Sequence, residues 1–108
     1  MKANIDFLIK KIKKNKSKSQ KISYTSFLIK KGSKYCLKKV QEETLELISA
    51  IKNKDNKKNI IYEAADLIYH LLVLLELKKI NFLQIIKELK RRTQFSGITE
   101  KKNRKNVR

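Results

Sequence analysis

The chain has 108 residues, 28 Lys and Arg against 10 Asp and Glu, a single Cys and no Pro. That length supports one modest core, and the lone Cys36 excludes an internal disulfide. No apolar run reaches membrane-spanning length, and the start MKANIDFLIKKIKKNK lacks an apolar signal region with a small-residue cleavage site, so a cytoplasmic protein is expected.

In chain order, Ile5, Leu8, Ile9 and Ile12 predict a short helix over residues 4–14, and the polar run KNKSKSQK predicts a loop. Ser23 is placed to cap a helix that ends near Gly32. A long helix follows from about Ser33 to Ile51, with Cys36 in its apolar pattern. After the turn NKDNKKN, a second long helix spans about Lys57 to Lys78. Asn81 caps a last helix to about Arg92, and residues 97–108 form a basic tail. The fold class is all-α, a helical bundle in one domain over 1–108, with 1–22 as a basic N-terminal helix and loop.

Charge is unevenly distributed. Residues 1–34 hold 11 Lys against one Asp, a net +10; residues 35–90 are at +2, and residues 91–108 at +6. Basic ends suit a nucleic acid or a polyphosphate, but a sequence rich in Lys, Asn and Ile is also what an AT-rich genome favours.

The acids are the informative charges. With Glu42 at zero on a helical wheel, Glu46 falls at about 40°, Lys39 at about 60° and Glu43 at about 100°. Cys36, Leu37, Val40, Leu47, Ile48 and Ile51 cover the other side. Glu63, Asp66 and His70 share one side of IIYEAADLIYHLLVLLEL, a helix apolar enough to be buried on most faces. Buried carboxylates need compensation, either Lys or Arg from a neighbouring helix or a hard cation such as magnesium. Antiparallel packing of the two long helices would bring Glu42, Glu43 and Glu46 to face Glu63 and Asp66. His70 lacks a second His at ligand spacing and is expected beside the ligands or in packing.

EExxE at Glu42–Glu46 followed by ExxD at Glu63–Asp66 resembles the all-α nucleoside-triphosphate pyrophosphatases. SYTSFLIKKG, KKVQEETLELISA, YEAADLIYHLLVLL and RRTQFSGITEKKNRK resemble, in order, blocks of the phosphoribosyl-ATP pyrophosphatase family and span nearly the whole chain. Two positions depart from that pattern: Gln41 stands where Gly usually precedes the paired glutamates, and Thr93 where His often follows the paired basic residues.

The resemblance implies hydrolysis of phosphoribosyl-ATP to phosphoribosyl-AMP and pyrophosphate in histidine biosynthesis, by a magnesium-dependent homodimer. It implies a metal set of Glu42, Glu43, Glu46, Glu63 and Asp66, with Glu43 or Glu46 acting on the water. It makes Lys39, Arg92, Lys101 and Arg104 candidates for the phosphates. A house-cleaning enzyme of the same fold fits the tail block less well. A nucleic-acid binder leaves the acids unexplained, since they would repel a phosphate backbone.

Overall fold

Local signals set the helix boundaries in the computed structural model, which describes residues 5–94, 98, 101 and 102. The Ser23 hydroxyl accepts from the Ser26 amide, the Asn56 carboxamide from Asn59 and the Asn81 carboxamide from Leu83, so three helices begin at side-chain caps. The elements are α1 (Ile5–Asn15), α2 (Tyr24–Lys31), α3 (Ser33–Lys52), α4 (Lys57–Leu77) and α5 (Phe82–Arg92). The described residues contain no strand, and no helix among them is long and apolar enough to cross a membrane.

Gly32 separates α2 from α3 at φ +93°, a left-handed value that favours glycine. Two other helix ends use lysine in that region. Lys54 (φ 55°) and Lys79 (φ 61°) each close a Schellman motif. The Asp55 amide bonds the Ala50 carbonyl and Lys54 the Ile51 carbonyl; Ile80 bonds Leu75 and Lys79 bonds Glu76 in the same way.

The α3–α4 hairpin is the frame, with α1 and α2 packed on it. Ile12, Leu28, Cys36, Leu72 and Val73 form the core, and the Cys36 thiol donates to the Leu28 carbonyl at 3.2 Å. Burial pushes that thiol above its ordinary value. Glu76 fastens α1 to α4 by accepting from Lys16 at 2.6 Å and pairing with Lys13 at 3.1 Å.

Most boundaries fall as expected, and the burial of α4 does not. α1 runs to Asn15, and the polar run after it is a loop, as expected, held by Ser23 Oγ donating to the Asn15 carbonyl and Ser26 Oγ to the Lys18 carbonyl. α4 is not buried on most faces: Ile61, Tyr62 and Ile68 are exposed. On α3, Leu37, Ile48 and Ile51 are exposed as well, while Cys36, Glu43 and Ala50 face inward. Among the described residues no element covers these outer side chains.

Candidate active site

The inward stripe of α3 repeats every seven residues, and its middle member is an acid. Glu43 is only 8% exposed. On α4, Glu63 and Asp66 lie one turn apart and meet it. One oxygen from each of Glu43, Glu63 and Asp66 lies within 4.8 Å of the others. Glu43 Oε2 and Glu63 Oε2 are buried without a hydrogen-bond partner. Such orphaned acceptors cost free energy unless a donor or cation meets them.

Electrostatics register that conflict. Burial, then the charges of Glu46 and Asp66, push the Glu43 carboxyl above its ordinary value, while His70 and Lys39 pull the other way. The Glu63 carboxyl is also raised, first by loss of solvent and then by the carboxylate of Glu46 against it and the charges of Asp66 and Glu43. Glu46 therefore stands at the exposed edge of the group, touching Glu63. Three converging carboxylates, two of them with an unpartnered oxygen, fit a hard divalent cation, which takes oxygen ligands.

Glu42 points to Lys39, which donates to its carboxylate at 3.3 Å. That carboxylate holds the Lys39 ammonium above its ordinary value. Arg92 donates to Glu88 on its own helix at 3.0 Å and is not brought to the cluster by that bond. Arg91 shares Glu88, whose carboxyl is held at about 2 by these two guanidiniums. Lys101 is exposed, and Arg104 lies outside the described residues.

His70 is 7% exposed and has both ring nitrogens engaged. Nδ1 lies 2.9 Å from the Asp66 carbonyl, which only accepts, so Nδ1 carries the proton. Nε2 and the Tyr24 hydroxyl lie 3.2 Å apart, within hydrogen-bond distance. This arrangement leaves the ring no lone pair for a metal and places it beside Glu43 and the backbone of Asp66.

The family model described as phosphoribosyl-ATP pyrophosphohydrolase matches residues 6–93. The chain belongs to this family. A phosphoribosyl-ATP pyrophosphatase of Vesicomyosocius okutanii is 50% identical over 95 residues, 88% of this chain and 90% of the relative. One from Ruthia magnifica is 47% identical over 104 residues, 94% of this chain and 98% of the relative. The histidine biosynthesis bifunctional protein HisIE of Helicobacter hepaticus is 45% identical over 101 residues, and the match covers 43% of its length.

Sequence reasoning missed Tyr24. It begins α2 directly after the capping Ser23 and carries no charge or metal-ligand chemistry, so nothing local marks it. Its partner His70 lies 46 residues away. Loss of water raises the Tyr24 phenol despite the nearby Lys39 ammonium, and its ring stacks on Phe27 and Tyr69.

Proposed function

We propose that the chain hydrolyses phosphoribosyl-ATP to phosphoribosyl-AMP and pyrophosphate, an early step of histidine biosynthesis, with magnesium held by Glu43, Glu63 and Asp66. The observation that carries this reading is the pair of buried, unpartnered carboxylate oxygens, Glu43 Oε2 and Glu63 Oε2, within the matched span of the family. Magnesium held by these residues would supply positive charge to the polyphosphate and would lower the pKa of a bound water.

The chain's own residues do the rest. Glu46, exposed and against Glu63, is placed to orient the attacking water and take its proton, with Glu43 as the alternative base. Water adds across the phosphoanhydride between the α and β phosphates, and pyrophosphate leaves. Glu42 completes the acidic edge of α3 and positions Lys39, whose ammonium meets phosphate oxygens. Arg92, Lys101 and Arg104 supply further cations when substrate binds. His70 holds the backbone at Asp66.

The working unit is a homodimer in the cytoplasm. Leu37, Leu45, Ile48 and Ile51 on α3, Ile61 and Tyr62 on α4, and Leu83 and Leu89 on α5 are all exposed, and α5 buries no residue. An apolar surface of that extent calls for a second copy. A stable folded monomer in sedimentation at micromolar concentration would refute this.

The deciding assay measures pyrophosphate release from phosphoribosyl-ATP with and without magnesium, beside a panel of free nucleoside triphosphates. Turnover of phosphoribosyl-ATP that vanishes on chelation supports the assignment. Preference for free triphosphates refutes it.

A further inference from the structure

The first turn of α2 is anchored by three hydroxyls. Ser23 Oγ donates to the Asn15 carbonyl at 2.9 Å, Ser26 Oγ donates to the Lys18 carbonyl, and the hydroxyls of Thr25 and Tyr69 meet at 2.6 Å. Tyr24 leaves the helix among these anchors. Its ring stacks on Phe27 and Tyr69, with centroids 5.9 and 6.1 Å away and planes within 18° of parallel. The phenol is thus a stiff arm, and its hydroxyl ends 3.2 Å from His70 Nε2. That contact holds in either charge state of the ring. A neutral imidazole with its proton on Nδ1 accepts from the phenol, and an imidazolium donates to it.

His70 passes the restraint on. Its Nδ1 lies 2.9 Å from the Asp66 carbonyl. The regular helical pattern already gives that carbonyl the His70 amide, so the ring is a second donor to it. A carbonyl held by two donors has little freedom to tilt, and the Asp66 carboxylate leaves the same residue. One oxygen of that carboxylate lies within 4.8 Å of one each from Glu43 and Glu63, a convergence that a shift of this turn would open. Tyr24 is 48% exposed, so water can serve its hydroxyl and the bond to His70 adds little to stability.

We propose that Tyr24 is a positioning residue for the cation site: its hydroxyl fixes the His70 ring, and the ring fixes the turn of α4 that presents Asp66 to Glu43 and Glu63. The proposal rests on the cation site of the function proposed above and adds a residue from α2 to it. Tyr24 acts through His70 and needs no contact with cation or substrate. Partners that orient ligands in this way tune metal affinity without binding metal themselves.

Variants of the full-length chain, titrated with magnesium alone by calorimetry and melted in chelator, test it. Tyr24→Phe keeps the ring stack and removes the hydroxyl. It should weaken magnesium about tenfold and melt in chelator as wild type does. Thr25→Val removes the neighbouring hydroxyl pair between α2 and α4 without touching His70. It should melt lower and bind magnesium as wild type does. His70→Phe should weaken magnesium at least as much as Tyr24→Phe, and combining the two should weaken it no further. An equal loss of affinity in Thr25→Val overturns the proposal, because docking of α2 is then the cause, and so does a further loss in the double variant. His70 is the chain's one histidine, so its ring nitrogens give unambiguous nitrogen-15 NMR signals. The Nε2 signal should move in Tyr24→Phe. Ring signals identical to wild type overturn the proposal, even where His70→Phe does not fold. A wild type that binds no magnesium overturns the cation site and the proposal with it. A wild type that binds magnesium, with unchanged affinity in Tyr24→Phe, overturns the proposal alone.

Discussion

Replacing Glu43 with Gln should stabilise the metal-free protein and remove its response to magnesium. Glu43 and Asp66 offer oxygens within 4.8 Å of each other. At an effective dielectric constant of roughly 20 to 80, two unit charges that far apart repel by roughly 1 to 3 kcal/mol. Glu63 and Glu46 add repulsion of the same sign. Part of it is already relieved by proton uptake, because the Glu43 carboxyl is raised. A net gain of about 1 kcal/mol is expected, or about 4 to 8 °C in Tm for a domain near this size. The Gln amine also gives the neighbouring carboxylates a donor. Magnesium should reverse the order: at a concentration about 100 times its Kd, it stabilises the wild type by about 2.7 kcal/mol. Calorimetry at fixed protein concentration, with magnesium or with chelator, reads all four states. A Glu43→Gln protein that melts lower in chelator, or that keeps the full magnesium shift, would refute the reasoning.

Asp66→Asn should lower turnover by at least about a hundredfold at limiting magnesium while circular dichroism stays unchanged, since an amide holds a hard cation poorly. Glu76→Gln should cost about 1 to 2 kcal/mol near neutral pH in urea unfolding, because its side chain is 9% exposed while its lysine partners are about half exposed. Burial raises the Glu76 carboxyl, but Lys16 and Lys13 outweigh it and hold it below 4.5. Its contribution is therefore present above pH 4.5 and lost as pH falls through the lowered value, so the variant should lose less stability than wild type in that acid window. Lys54→Gly should raise stability by about 0.5 to 1 kcal/mol, because glycine adopts the left-handed closing position without a Cβ clash.

What the sequence made legible was local. Ser23, Asn56 and Asn81 sit within three residues of the amides they cap, so turn chemistry alone reveals them. The placement of Glu63, Asp66 and His70 on one side follows from helical spacing. Which sector of α3 faces α4 does not. The wheel sets Glu42, Glu43 and Glu46 on neighbouring lines, but only packing decides that Glu43 turns inward and Glu42 stays with Lys39. The same rotation leaves Leu37 and Ile48, on the side of the wheel away from the acids, exposed. Tyr24 was hidden because its meeting with His70 depends on docking α2 against α4.

The basic character of the chain does not discharge this site. The protein carries +18, yet the carboxyls of Glu43 and Glu63 are pushed up. Lys39 is the lysine that pulls Glu43 down, and it is already committed to Glu42. Lys13 and Lys16 belong to Glu76, and Lys10 pairs with Asp6 on its own helix. At physiological salt the screening length is about 8 Å, so exposed lysines farther away act weakly on this cluster. The carboxylates lie closer together than that length, so their mutual repulsion survives. Added monovalent salt weakens the pull of distant lysines and leaves the crowding in place. A divalent cation among the oxygens relaxes it, and the unpartnered oxygens of Glu43 and Glu63 are positioned to receive one.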